Sequence, residues 1–274
     1  MILDSGVVAR LEHTAALDNA AVAQQLSVLS PALDAGVTPI GGGQLVLFGR
    51  GMYVNRGLGL GLGVDVSSGD LDTLEAVSVA AGVDPEIEVC PWAQPPLLEL
   101  TAERGYRLRW FRSVLIRPTA HHGDPPPAGV VTSTVVDAVG LAQWQESSAV
   151  GFDAVGADPA GKQARLVSDR YADALSRAAG TRLYLASVDG QPVGAAALTL
   201  RDGLATLSGM STTPPARRRG VQAALLAHRL YDAAEAGCDL AMTSAVPGGV
   251  SERNLLRHGF TLAYTKVGVR RSGR

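Results

Sequence analysis

Arg217, Arg218 and Arg219 stand in a row in a chain with only 2 lysines among its 24 basic residues, and Gly220 and a long apolar helix pattern follow at once. Ahead of them "LATLSGMST" reads as a strand, and Pro214 and Pro215 fix the turn between. A strand, a tight loop, arginines, a glycine and a helix start together make an anion site. The first helical amides have no intrahelical acceptor, and the aligned peptide dipoles add about half a positive charge. Gly220 lets backbone approach a phosphate with no side chain between. That order suits a diphosphate better than DNA, which calls for basic residues spread along an exposed face.

Other reactive residue types are sparse. His121 and His122 fall in "RPTAHHGDPPPAG", an extended proline-rich connector without further metal ligands. Cys90 and Cys238 lie far apart without CxxC spacing, which argues against a zinc site or disulfide framework and fits a reducing cytoplasm. A net charge of −2 leaves no basic field for nucleic acid or an anionic membrane. No run reaches the roughly 18 apolar residues of a membrane span, and the N-terminus has no secretion-signal pattern. The expectation is a soluble, cytoplasmic protein without metal.

The elements that position the arginines are legible on both sides of the connector. The length suits two domains of about 130 residues. After the connector come a strand at 130–138 and helices over "VGLAQWQESSAV" and "GKQARLVSDRYADALSRAAG". Asp189-Gly190 and Asp202-Gly203 then separate three apolar runs, the signature of a three-stranded antiparallel meander. A helix over 220–236 is expected to turn Ala223, Leu226, Ala227, Leu230, Ala233 and Ala234 to one face. A strand "CDLAMTSAV", a short helix over "SERNLLRHG" and a final strand "FTLAYTKVGVRR" close the chain. The first half repeats the closing order: a strand pair from Gly43, a helix at 69–82, the strand "EIEVC", a helix and a last strand. "AERGYRL" (102–108) aligns with "LRHGFTL" (256–262), a sign of internal duplication. "GLGLGLG" (57–63) lacks dinucleotide-binding spacing, and its period of two predicts a strand with one bare face.

The run "RRRGVQ" resembles the acetyl-coenzyme A signature of the GNAT N-acetyltransferase superfamily, Arg/Gln-x-x-Gly-x-Gly/Ala, with Arg217 and Gly220 matching and Gln222 where Gly or Ala is usual. The resemblance covers about residues 130–274. It implies an α+β fold with a GNAT-like mixed, mostly antiparallel sheet flanked by helices, in two tandem copies. Residues 1–117 form a degenerate copy without the cofactor loop, 118–129 the linker and 130–274 the acetyltransferase domain. By resemblance the amides of Arg218, Arg219, Gly220, Val221, Gln222 and Ala223 cradle the pyrophosphate, with charge from Arg217 and Arg219 at its rim. Thr212 bonds the pantetheine through its backbone, the strand at 240–245 splays from the preceding one, and Ser251 and Asn254 line the far side of the cofactor arm. The family's tyrosine acid falls on Leu255, so no general acid is named. Glu146 and Asp153 are candidate bases that also read as surface carboxylates, and Cys238 reads as core.

The implied activity is transfer of acetyl from acetyl-CoA to a primary amine of a small molecule or peptide, without nucleic-acid or membrane partner and with a homodimer left open. A non-catalytic acyl-CoA sensor or binding protein is the alternative, and a nucleic-acid binder built on the arginines ranks third. The first half reads "GVDVSSGDLDTLEA" where the second has its arginine loop, and Asp65, Asp70 and Asp72 there repel a diphosphate. One cofactor per chain is therefore expected.

Overall fold

The computed structural model describes residues 3–119, 129–153 and 159–271. His121, His122 and most of the linker lie outside the described residues. In chain order the elements are α1 (Ser5–Leu29), β1 (Gly36–Ile40), β2 (Gly43–Leu47), β3 (Asn55–Leu58), α2 (Ser68–Ala80), β4 (Glu86–Val89), α3 (Pro95–Glu103) and β5 (Arg107–Pro118). There follow β6 (Val130–Thr134), α4 (Ala138–Gly151), α5 (Pro159–Arg177), β7 (Thr181–Val188), β8 (Gln191–Arg201) and β9 (Leu204–Thr212). The chain closes with α6 (Val221–Glu235), β10 (Leu240–Ala245), α7 (Val250–Arg257) and β11 (Thr261–Arg270). The class is α+β, mostly antiparallel, with parallel pairs at β3/β4 and β9/β10. Among the described residues no helix is long and apolar enough to cross a membrane.

Two compact units emerge, and neither is one half of the sequence. The first joins residues 1–115 to 244–256 and 261–274, and the second joins 116–243 to 257–260. β11, read from sequence as the end of the second domain, pairs antiparallel with β4, Val267 opposite Val89 and Arg270 opposite Glu86. A strand's partner is chosen by tertiary contacts, and a local pattern does not reveal which sheet it joins.

In the first unit the strands run β1-β2-β3-β4-β11-β5. Alternation along β4 separates two environments. Ile87 and Val89 face Leu71 and Leu74 of α2 and Leu97 of α3 in an apolar core. Glu86 and Glu88 face the other way, into a buried charged network. There Lys266 of β11 bonds Glu88 and lies 3.0 Å from Glu12 of α1, whose carboxylate also accepts the Tyr264 hydroxyl at 2.5 Å. Arg56 approaches Glu86 and Glu88 at 3.6 and 3.5 Å and stacks over Trp110. Burial alone disfavours the Glu88 carboxylate, but Lys266 and Arg56 more than offset it and hold its pKa below the ordinary value.

Ahead of Gly43 the chain supplies α1 and β1, which are not among the elements expected from sequence. α1 is capped by the Asp4 carboxylate, which accepts the Val7 amide at 2.8 Å. Its buried set includes Glu12 and Asp18, which blur the apolar stripe. The strand expected over 57–63 is a correction: only Gly57 and Leu58 join β3, and Gly59, Gly61 and Gly63 turn left-handed. Alternate glycines with positive φ cannot extend a pleated strand, and the period of two came from a turn.

The second unit contains the sheet order β10-β9-β8-β7-β6. The meander β7-β8-β9 is as expected, with Asp189 and Gly190 at φ 53° and 76° and Asp202 and Gly203 at 46° and 74°. Two consecutive positive φ values match the type I′ turn that follows strand twist. α4 and α6 cover opposite faces: Ser211 reaches the Ser147 carbonyl on α4, while Gly194 leaves room for Val221 at the head of α6.

Candidate functional site: the head of α6 and the edge of β9

After β9 the chain makes a single 3-10 turn, Pro214–Ala216, closed by Ala216 donating to the Thr213 carbonyl at 3.0 Å. Arg217 is extended, Arg218 is left-handed at φ 64°, and Gly220 is left-handed at φ 81° as the residue that caps α6. A left-handed arginine is costly, on the order of 1 kcal/mol, and such strain collects where backbone is shaped for a ligand. Gly220 adopts its conformation without a Cβ penalty and offers no side-chain cap. The first intrahelical bond runs from the Ala224 amide to the Gly220 carbonyl at 3.0 Å. The amides of Val221, Gln222 and Ala223 therefore precede any intrahelical acceptor. Arg217, Arg218 and Arg219 are exposed around this helix head. Arg219 lies 3.1 Å from Asp189, an exposed contact of little energetic weight that leaves the guanidinium available.

The head of α2, in the first unit, answers the same geometric problem differently. Ser67 accepts the Asp70 amide at 3.2 Å, and Asp70 accepts the Ser67 amide at 2.8 Å, a complete capping box. In the preceding turn the Gly61 amide donates to the Gly41 carbonyl at 2.9 Å. The Ser67 and Asp70 amides are thus satisfied within the protein, and Asp70 adds a negative charge that disfavours an anion there.

β9 supplies the second part of the site. Its parallel ladder with β10 covers only Leu204–Thr206 against Leu240–Met242. At the next position the Thr243 hydroxyl donates to the Leu207 carbonyl at 2.8 Å. Beyond it, Ser208–Thr212 lie past the end of that ladder. On the other side, β8 pairs Ala197 with Ser208 and Ala195 with Ser211, so Gly209 and Met210 oppose Ala196 alone in a bulge. Gly209 takes φ 58°, and Trp144 of α4 lies against it, 3.6 Å from where a Cβ would stand. The Trp144 indole donates to the Ala196 carbonyl at 2.9 Å. Thr212 is buried, and its hydroxyl has no hydrogen-bond partner among the described residues.

Of the residues named from sequence, Thr212 and Arg217–Ala223 gather at this strand end and helix head. Ser251, exposed, and Asn254, half-buried, lie on α7 in the first unit. Leu255 is buried, so that position provides no acid. Glu146 is largely exposed and held 2.7 Å from Arg165, a solvated ion pair rather than a poised base. Asp153 is exposed at the end of α4 in a left-handed turn. Cys238 is buried.

The face expected for α6 is corrected. Leu226, Leu230 and Ala233 are buried as expected, but Ala224, Leu225 and Arg229 are buried too, whereas Ala223, Ala227 and Ala234 are half-exposed. The 225, 229, 233 spacing was legible, but a charged residue in the stripe displaced it. Gly209, inside an apolar run, was the available signal for the bulge.

Residues 143–260 match the Acetyltransferase (GNAT) family. No curated protein matches the chain in sequence. Among solved structures the chain is similar to a GCN5-related N-acetyltransferase from Kribbella flavida, with 22% identity and TM-score 0.66 over 92% of this chain and 96% of that one. A GCN5-related N-acetyltransferase from Sphaerobacter thermophilus is 18% identical with TM-score 0.55, over 79% of this chain and 71% of that one. A tandem GNAT protein from the clavulanic acid biosynthesis pathway is 16% identical with TM-score 0.58, over 86% of this chain and 81% of that one. At these identities the shared property is the fold.

Proposed function

We propose, from a chain with the GNAT fold whose residues 143–260 match the GNAT family, that it moves an acetyl group from acetyl-CoA directly to a primary amine of a small molecule or peptide. The observation that carries this reading is the contrast between two helix heads. α2 is closed by its own serine and aspartate, while α6 begins at a left-handed glycine with no side-chain cap, ringed by three exposed arginines. Such a head accepts a diphosphate, and β9, whose edge leaves the ladder at Thr206, lies immediately before it.

The residues present fit acetyl-CoA. Val221–Ala223 donate amides to the pyrophosphate, Gly220 admits it, and Arg217, Arg218 and Arg219 add charge-assisted contacts. The β9 edge over Ser208–Thr212 offers backbone groups to the pantetheine arm, with Thr212 at its end. Bound there, acetyl-CoA supplies an acyl group activated as a thioester. The chain's part is to orient that carbonyl and hold donors toward its oxygen, worth about 2.7–4 kcal/mol for a well-placed donor. An amine with pKa near 10.4 must arrive deprotonated. Ser251 and Asn254 rest on the resemblance alone.

Buried Leu255 and ion-paired Glu146 favour one second reading, an acyl-CoA sensor that binds without turnover. Thiol release from acetyl-CoA over a panel of primary amines separates the two. Turnover with any amine supports the transferase; calorimetric binding without turnover supports the sensor; absence of binding removes both.

A further inference from the structure

The guanidinium of Arg229 sits in the middle of the second unit, only 1% exposed, and no carboxylate pairs with it among the described residues. Its donors go to the neutral groups around the β9 bulge. Nη1 donates to the Ala197 carbonyl on β8 at 3.0 Å and to the Ser208 carbonyl on β9 at 3.4 Å. Nη2 meets the Met210 sulfur at 3.0 Å, and Nε donates to the Leu225 carbonyl one turn back at 3.1 Å. Burial lowers its pKa to about 10, with the Tyr184 hydroxyl partly offsetting, so it keeps its charge at neutral pH.

A buried ion without a counter-ion is costly, and an apolar side chain would fill the same space at no such cost. The arginine's contacts show what it does instead. Ala197 and Ser208 are the register pair at one end of the bulge, and Met210 is one of the two residues that oppose Ala196 there. The planar fork ties β8, β9 and α6 at the point where the strand gains a residue. From α4, Trp144 closes on Gly209 and the Ala196 carbonyl. The bulge is clamped on both sides, and beyond the clamp lies the β9 edge past its ladder with β10.

We propose that Arg229 is a positioning residue for acyl transfer: by pinning the Ser208–Met210 bulge it sets the direction of the backbone groups on the β9 edge that address the acyl carbonyl. This rests on the acetyl-CoA reading of that edge. It separates two tasks along one strand and helix, with Arg229 governing orientation at the acyl end and Gly220 governing diphosphate binding at the helix head.

The test compares wild type with Arg229→Met and Arg229→Lys in the full chain. A misplacement of about 1 Å can cost roughly a hundredfold in rate, so Arg229→Met should lower kcat by about that factor with the best amine of the panel. The Kd for CoA, which lacks the acyl group, should stay within about threefold of wild type, and Arg229→Lys should recover part of kcat. Hydrogen exchange should quicken over 208–212 and not over 181–188. Unchanged kcat in a folded Arg229→Met overturns the proposal, as does a CoA affinity that falls in parallel with kcat. If Arg229→Met fails to fold, Arg229→Lys with wild-type kcat and exchange overturns it, while a selective kcat loss with faster exchange at 208–212 upholds it. Failure of the acetyl-CoA reading shows separately, as wild type that binds neither CoA nor acetyl-CoA. Exchange then still decides the clamp, which confined acceleration at 208–212 upholds and uniform or absent change overturns.

Discussion

Gly220 carries the sharpest expectation for a single residue. At φ 81° a leucine is strained, so Gly220→Leu should disturb the backbone that opens α6. Acetyl-CoA at 100 times its Kd should stabilise the wild type by about 2.7 kcal/mol, and Gly220→Leu should remove that gain. Thermal denaturation with and without ligand measures it; a ligand shift of wild-type size in the variant places the site elsewhere. Arg217 makes a graded prediction. Arg217→Ala should weaken CoA far more than a pantetheine ester without the diphosphate, by calorimetric titration of both. Equal losses assign the side chain a structural role. Gly220 and the arginines stand out in the sequence, because a glycine and clustered charge at a helix start are local signals. Arg229 was not, because nothing in "LLAHRLYD" says that its arginine turns inward.

At the scale of elements, the closed head of α2 is the counterpart of the open head of α6. The Ser67 hydroxyl and amide hold the Asp70 carboxyl below its ordinary value near 3.8. A lowered acid stabilises the fold above its unfolded pKa and loses that contribution as pH falls through the folded one. The difference in urea midpoint between wild type and Asp70→Asn should therefore be present at neutral pH and shrink as pH falls below the ordinary carboxylate value. A difference that persists in acid would show that the substitution acts through packing. Helices, meander turns and helix stops were legible at this scale because each is encoded within a few residues. Asp189-Gly190 and Asp202-Gly203 are examples, since a type I′ turn needs two residues tolerant of positive φ.

For the whole molecule, titration calorimetry should find one acetyl-CoA per chain, since the α6 head is uncapped and ringed by arginines while the α2 head carries its own serine–aspartate capping box; two equivalent sites would overturn this. The buried network of the first unit sets a second expectation. Glu88, held low by Lys266 and Arg56 against the cost of burial, contributes above its unfolded pKa near 4.5 and loses that contribution as pH falls. Lys266 is opposed by burial but raised by Glu88 and Glu12; its contribution is present below 10.5 and lost as pH rises through the folded value. Trp110 stacks on Arg56 and reports on this cluster. Its urea transition should move to lower denaturant on going from about pH 6 to about pH 3, and Glu88→Gln should flatten that dependence while costing about 3–5 kcal/mol at neutral pH. A transition that ignores pH in wild type would show that the network contributes no charge-dependent stability.

The sequence by itself determined the arginine–glycine start of α6, the order of elements after the linker and the capping residues at the start of α2. Each is a local matter of φ preference, capping chemistry and charge within one turn of backbone. Tertiary structure decided the rest. β11 joins β4 because strand pairing is settled across more than a hundred residues of intervening chain, where no short pattern reaches. The turn at 59–63 overrode a period of two because glycine alternation serves left-handed turns as well as strands. Arg229 became the hub of the β9 bulge because a guanidinium can be buried wherever carbonyls converge to meet it, and that convergence exists only once β8, β9 and α6 are in place.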